Sequence, residues 1–247
     1  KDTCTYLLTA RTTYSNWILG LLEDPALRNS SAAFYDINAR IAYDLSKNDK
    51  IDLSAYYSHD SFRFNSDTTY KYHNNIVSFR WRHFFSSRLF SALTLNNSHY
   101  DYDISGQKVP EEGFLLSHRI NSTALKADVN WYPGSRHEFN FGIDLTRYEV
   151  LPGSFSPLGD SSLVVPEMIA RQRAVEPALY FEDKFIVTDH LSVNAGIRLS
   201  SFFAFGPQTF LVYEDNFPRS VSSVNDTLNF GRSDIYRTYL GPEFRIS

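Results

Sequence analysis

The feature that most constrains this chain is a period of two. It is cleanest in Leu191–Ser200, where Leu191, Val193, Ala195, Ile197 and Leu199 share one face and Ser192, Asn194, Gly196, Arg198 and Ser200 share the other. Successive side chains of a strand point to opposite faces, so this pattern specifies a strand with one apolar and one polar side. Gly196, on the polar side, marks a bend or a place that needs room. Before it, across the turn Thr188-Asp189-His190, the residues Leu179, Phe181, Phe185 and Val187 alternate with Tyr180, Glu182 and Lys184, interrupted by Asp183.

The same period recurs along the chain and predicts ten strands. The first runs from Cys4 to Tyr14. The second, Tyr35–Leu45, sets Tyr35, Ile37, Ala39, Ile41, Tyr43 and Leu45 against Asp36, Asn38, Arg40 and Asp44. The third spans Ile51–Phe62. The fourth, Asn75–Phe85, sets Val77, Phe79, Trp81 and Phe85 against Ser78, Arg80 and Arg82. The fifth, Leu89–Tyr102, is ambiguous in phase, because Leu93 and Leu95 favour one side and Phe90 and Ala92 the other. The sixth ends on Leu125, Ala127, Val129 and Trp131 against Lys126, Asp128 and Asn130, and the seventh sets Phe139, Phe141, Ile143 and Leu145 against Asn140, Gly142 and Asp144. The Leu179–Ser200 hairpin supplies the eighth and ninth, and Tyr239–Ser247 the tenth.

The connections alternate in expected length. Short polar turns begin at Ser46, Ser86, Pro133 and Thr188; long ones begin near Ser15, Arg63, Asp103, Val150 and Gly206. Ser15 is placed to cap a short helix that Asp24-Pro25 ends. Pro152, Pro157 and Pro166 are expected to break regular structure in the fourth long connection. Segregating loops by length suits an outer-membrane barrel, with short periplasmic turns and long extracellular loops. Twenty Phe and sixteen Tyr supply aromatics for strand ends: Tyr43, Phe85, Trp131 and Phe185 beside short turns, and Tyr14, Tyr35, Phe62, Tyr148 and Phe205 beside long ones, as two interfacial girdles. No apolar run approaches the length of a membrane-spanning helix, but a transmembrane strand needs only about 9–11 residues and is apolar at alternate positions.

Phase then assigns direction. Asp36, Asn38, Arg40, Arg80, Arg82, Asp128, Asp144 and Arg198 are expected to face the lumen, because each charge facing hydrocarbon at the midplane would cost roughly 2–4 kcal/mol. The net charge of −4 implies no basic surface for nucleic acid. A single cysteine, Cys4, rules out an internal disulfide. The beginning, Lys1-Asp2-Thr3-Cys4, carries no signal segment, so the chain reads as mature or as a fragment.

The hairpin resembles a recurring element of TonB-dependent outer-membrane receptors, through Tyr180, Glu182 and Asp183 before the turn and Leu191, Asn194, Gly196 and Arg198 after it. Leu240-Gly241-Pro242-Glu243-Phe244-Arg245 resembles a strand start common in the same receptors. The resemblance implies an all-β fold: a transmembrane antiparallel up-and-down β-barrel, of which residues 1–247 would be about ten strands of about 22, with the plug domain and remaining strands absent. It implies active uptake of a bulky nutrient such as a siderophore, cobalamin or an oligosaccharide, energised through TonB acting on the plug. The partners it implies are outer-membrane lipid, the TonB complex and a surface lipoprotein. The segment from Tyr14 to Tyr35 resembles receptors of Bacteroidota-type bacteria.

Candidate ligand contacts are the loop aromatics Trp17, Tyr70, Tyr72, Phe155, Phe210, Tyr213 and Phe217, weighed against plain loop packing. His59-Asp60 and His99-x-Asp101-x-Asp103 are the only constellations with catalytic or metal-binding character, and solvated polar residues explain them more simply. No nucleophile elbow, zinc motif or phosphate loop is present, so no enzyme and no cofactor is expected. Two other readings stay open: a complete ten-stranded outer-membrane protease-type barrel, which needs its first and tenth strands paired, and a soluble carbohydrate-binding β-sandwich.

Overall fold

The computed structural model describes residues 3–13, 15–64 and 67–247. Lys1 and Asp2, the expected girdle residue Tyr14, and Asn65 and Ser66 of the second long connection lie outside the described residues. In chain order the elements are β1 (Cys4–Thr12), helices α1 (Ser15–Gly20) and α2 (Pro25–Arg28), β2 (Ser31–Asp44), β3 (Asp49–Arg63), β4 (Thr68–Ser86), β5 (Leu89–Gly106), β6 (Phe114–Trp131), β7 (His137–Pro157), the two-residue β8 (Glu167–Met168), β9 (Gln172–Thr188), β10 (Leu191–Phe205), β11 (Gln208–Tyr213), β12 (Val224–Phe230) and β13 (Ile235–Ile246). The ten long strands form one antiparallel sheet in the order β1-β2-β3-β4-β5-β6-β7-β9-β10-β13, with β8 added beside β7 and β11-β12 forming a separate hairpin. Each expected strand is present, and the opening hairpin is β9-β10. Among the described residues β1 pairs only with β2 and β13 only with β10, so the seam of a closed ten-stranded barrel is not formed.

The registers carry the period of two across the whole sheet. Ile41, Leu53, Phe79, Leu95, Leu125 and Leu145 are successive cross-strand partners in one row, and Tyr43, Ile51, Trp81, Leu93, Ala127, Ile143, Leu179 and Leu199 form the next. These side chains stand in solvent-accessible space: Leu53 is 46% exposed, Ile143 46% and Leu179 59%. An apolar field of this extent has no place on a water-soluble surface. The opposite face is polar, and it is the crowded one. Glycines aside, every buried residue on the ten strands, namely Asp36, Ser58, Ala92, Ala174, Ala178 and Ala204, projects from it. Side chains converge on the concave side of a bent sheet and splay on the convex side, so the sheet curls towards its polar face. The phase of the fifth strand resolves accordingly: Leu93 and Leu95 point to the apolar side, Phe90 and Ala92 to the polar side.

The apolar band crosses the hydrogen-bond rows diagonally. The row Ile37, Tyr57, Asn75, His99, Asn121, Glu149, Arg173 starts apolar on β2 and ends ionic on β9. Strands tilted against the axis of a barrel produce this drift.

Several expectations need correction. Arg63–Asn74 is not a long connection, since β3 runs to Arg63 and β4 starts at Thr68. Asp103–Ser117 and Val150–Arg173 are also partly strand, because β5 extends to Gly106 and β7 to Pro157, so Tyr70, Tyr72 and Phe155 sit on strands rather than loops. Phe210 and Tyr213, expected in a loop, lie on β11. Backbone pairing continues past the apolar band with polar side chains on both faces, a region where hydrophobic periodicity is silent. Pro152 lies within β7, at the register shift between Ser117 and Arg119 of β6, a bulge that spares it a ladder bond. Strands of 19 residues in β4 and 21 in β7 exceed the roughly 10 a bilayer needs. The excess extends on the side away from the short turns, as a protein wall beyond the membrane band.

Of the expected girdles, Tyr43, Phe85, Trp131 and Phe185 all stand on the apolar face. There Trp131 packs on Phe139 (ring centroids 5.5 Å apart), His137 on Phe185 (4.7 Å) and His83 on Phe85 (4.5 Å). The outward carboxylate Asp183 receives His137 Nδ1 at 2.9 Å. At the other edge Tyr35 and Phe205 share the apolar face, but Phe62 and Tyr148 project from the polar side.

Candidate ligand-binding face

All eight residues expected at the lumen, Asp36, Asn38, Arg40, Arg80, Arg82, Asp128, Asp144 and Arg198, project from the polar face. They form two clusters. On β2-β4 the Asp52 carboxylate accepts Arg40 Nη2 at 2.8 Å and Arg82 Nη2 at 3.1 Å. Arg80 lies beside them with no partner among the described residues, and Arg82 Nε is buried without a hydrogen-bond partner. Three guanidiniums against one carboxylate make this patch electropositive. Next to it, Arg11 grips Asp36 through Nε at 2.9 Å and Nη2 at 2.9 Å.

The second cluster is built on a missing side chain. Tyr180 of β9 pairs with Gly142 of β7, and Gly142 pairs with Asp128 of β6. The Tyr180 ring lies across Gly142, and its hydroxyl donates to Asp128 Oδ1. A Cβ on Gly142 would stand 2.9 Å from Tyr180 Cζ, so only glycine leaves the ring room. Lys126 Nζ sits 3.1 Å from Asp128 and 5.3 Å from the Tyr180 ring centroid, and Arg198 pairs with Asp144 at 3.5 Å. Gly196 plays a milder part, with Glu182 lying over it and accepting Asn194 Nδ2 at 2.5 Å.

Above the membrane band the polar face turns aromatic. Tyr72 and Tyr102 stack at 4.7 Å with their planes 9° apart, and Tyr102 stacks on His118 at 5.7 Å and 18°. Tyr70 and Tyr100 flank the stack on β4 and β5, with Phe155 beyond, packed against Phe114 at 5.5 Å. All are part-exposed. Burial, with hydrogen bonding to Tyr72 behind it, pushes the Tyr102 hydroxyl above its usual range, so it stays a neutral donor. Such a platform can stack a planar or ring-bearing ligand and donate hydrogen bonds to it. The sequence placed Tyr70, Tyr72 and Phe155 among its candidates but missed Tyr100, Tyr102 and His118. The signal was there in the paired Tyr-x-Tyr motifs, Tyr70-x-Tyr72 and Tyr100-x-Tyr102, which the sheet sets side by side.

The other candidates are dispersed. Trp17 is 60% exposed on α1, and Tyr213 on β11 carries the Arg219 guanidinium 5.7 Å from its ring centroid. Phe210 packs with Tyr236 at 5.3 Å, while Phe217 is 63% exposed. The histidines with catalytic character do not face the polar side. His59 and His73 meet through Nδ1 atoms 3.2 Å apart on the outer face, just beyond the apolar band. His99 Nε2 and Asp101 Oδ2 lie 2.5 Å apart on that same face, with Arg119 Nε donating to Asp101 Oδ1 at 2.5 Å. Among the described residues no group of three or more His, Cys, Asp or Glu side chains could hold a metal.

No protein-family profile matches the sequence, and no curated protein matches it. Solved structures do. The copper transporter OprC superposes with a TM-score of 0.63 at 11% identity, over 88% of this chain and 34% of its own. The ferric-catecholate import receptor Fiu from E. coli K12, in its closed form, gives 0.59 at 13% identity over 100% and 44%. The siderophore receptor PiuA from Acinetobacter baumannii gives 0.57 at 10% identity over 98% and 42%. The chain therefore spans less than half the length of each. These structures are TonB-dependent receptors. The chain thus has the fold of the β-barrel wall of TonB-dependent outer-membrane receptors.

Proposed function

We propose that this chain is part of the barrel of an active outer-membrane transporter that takes up a bulky, ring-bearing nutrient such as a siderophore, cobalamin or an oligosaccharide. The observation that carries the reading is the separation of faces: an exposed apolar band outside, and on the inner side a charged wall topped by the Tyr72–Tyr102–His118 stack. The apolar band meets lipid, and the eight polar residues face the lumen. The stack, raised beyond the membrane on the long-loop side, is the first inner surface an arriving ligand meets. Energy comes from TonB acting on a plug domain that belongs to the same protein outside residues 1–247, and a surface lipoprotein would serve an oligosaccharide ligand. The related folds are named for copper, ferric-catecholate and siderophore transport.

The test uses the full-length protein in detergent, titrated with a ferric catecholate, a ferric hydroxamate, cobalamin and a mixed oligosaccharide pool. One class is expected to bind, with Tyr72→Ala and Tyr102→Ala each weakening it by about tenfold, the worth of an aromatic contact beyond its area. Binding of none, or uptake in cells that persists without TonB, refutes the proposal.

A further inference from the structure

The outer face holds a second cluster, beyond the apolar band on β7, β9 and the residue just before β9. Glu149 Oε1 accepts Arg171 Nη1 at 2.6 Å, its Oε2 takes Arg147 Nη2 at 3.5 Å, and Arg173 Nε stands 3.8 Å away. Three guanidiniums around one carboxylate leave a local charge of +2, on a chain whose net charge is −4. Arg147 and Arg171 keep 61% and 50% of their side chains exposed; Arg173 is the more covered one, its Nη1 donating to the Gly206 carbonyl at 3.5 Å while its Nε is buried with no hydrogen bond. No other carboxylate pairs with these arginines among the described residues. The hydrogen bond from Arg171 first, and the charges of all three arginines, hold Glu149 below its usual pKa against the effect of burial, so the cluster keeps its charges at neutral pH.

Depth decides what this cluster is for. Arg147 is the next outward residue of β7 after Leu145, and its row partners Val175 and Phe203 are apolar. Arg173 lies one row higher, beside Glu149. One or two outward positions past the band correspond to about 7–13 Å along the strand, less when tilted, which is the headgroup zone of a bilayer. Guanidiniums that are poorly satisfied by protein, fixed at headgroup depth over an apolar stripe, match a phosphate with acyl chains beneath it.

We propose that Arg147, Arg171 and Arg173 dock the phosphorylated headgroup of a lipid in the leaflet on the long-loop side, its acyl chains lying on Leu145, Val175 and Phe203. Glu149 holds the three guanidiniums in place against their mutual repulsion, leaving the terminal nitrogens of Arg147 and Arg171 for the phosphate. The inference rests on the reading that the apolar face meets lipid.

The experiment is native mass spectrometry of the full-length protein in mild detergent, offered bis-phosphorylated lipid A, the same lipid dephosphorylated, or inorganic phosphate. The phosphorylated lipid is expected to be retained at least tenfold more than its dephosphorylated form, and inorganic phosphate is expected not to displace it. Arg147→Gln/Arg171→Gln is expected to abolish that preference. Equal retention of both lipids, or a preference surviving the double variant, overturns the proposal; displacement by inorganic phosphate overturns the lipid as its source. If the double variant does not fold, the wild-type lipid comparison still decides. Quenching of Trp81 and Trp131 by brominated acyl chains, in a Trp17→Phe background, separates the two failures. Unquenched tryptophans sink the lipid-facing reading itself, whereas quenched tryptophans without lipid preference sink only this site.

Discussion

Replacing Gly142 with alanine should be the most damaging one-methyl change in the sheet. The added Cβ would lie 2.9 Å from Tyr180 Cζ and well inside van der Waals contact of both the Ala127 carbonyl oxygen and the Tyr180 hydroxyl. Carbon pairs settle at about 3.5–4.0 Å, so something must move. The Ala127 carbonyl belongs to the β6-β7 ladder and cannot swing aside, which leaves the Tyr180 ring to be expelled. Overpacking costs about 1–3 kcal/mol. The lost hydrogen bond to the Asp128 carboxylate costs a further amount of about 1.5–3 kcal/mol. Gly142→Ala should therefore lose about 2.5–6 kcal/mol, read by urea unfolding of the full-length protein in micelles. Tyr180→Phe isolates the hydrogen bond and should lose only its share of about 1.5–3 kcal/mol. In a Tyr180→Ala background the Gly142→Ala penalty should shrink towards the cost of the carbonyl contact alone. Gly134→Ala, where a Cβ meets nothing within 4 Å, is the control and should stay within about 0.5 kcal/mol. A Gly142→Ala loss below about 1 kcal/mol, or one unchanged by removing Tyr180, would refute the idea that this glycine exists to seat the ring.

Three further outcomes follow from the charge clusters. Burial pushes the Asp101 carboxyl up, but hydrogen bonds from Arg119 and His99 outweigh it and hold the group below its usual range. Its contribution is therefore present at neutral pH and lost as pH falls below the ordinary carboxylate value, so the melting temperatures of wild type and Asp101→Asn should converge at acid pH. His59 is held below its usual pKa by burial, then by His73 and Lys71. Stability should fall as pH drops beneath about 6.5 and the proton is forced on, and His59→Gln should reduce the loss between pH 7 and 5 seen in a thermal melt. Asp52→Asn should cost about 1–3 kcal/mol by stranding Arg40 and Arg82, while Arg80→Ala, removing an unpartnered cation, should stay within about 0.5 kcal/mol in the same urea titration.

The parts of the fold that were legible in the sequence are those where one face touches a different solvent from the other. From Ile37 to Tyr43, or Leu191 to Leu199, contrast between an apolar and a polar surrounding writes the period of two into the chain, and strand, phase and face follow. Past the band both faces meet water, and the contrast disappears. His73, Asp101 and Arg119 face outward and Tyr72, Tyr102 and His118 inward, yet all are polar or amphipathic, so these stretches read as loops although the ladder continues through them. The aromatic stack was half visible for the same reason: Tyr70 and Tyr72 stood out as aromatics, while their stacking on Tyr102 depends on a register between β4 and β5 that no local pattern encodes. Gly142 was legible as a gap on the polar face, but its occupant, Tyr180, comes from a strand 38 positions away, and only pairing across the sheet joins them.

The diagonal course of the apolar band means that the bilayer itself proofreads strand pairing. Sliding β7 by two residues against β6 keeps every side chain on its proper face, so packing alone objects little. But the slide moves Arg147 down to the depth of Leu145, or lifts Leu145 to that of Arg147, and it does the same for every strand that follows. At roughly 2–4 kcal/mol for an arginine at the midplane, less near the edge, the penalty is repeated wherever an outward cation is drawn inwards. Depth thus acts as a ruler laid across the strands, and a register error in one pair is charged to all the pairs beyond it.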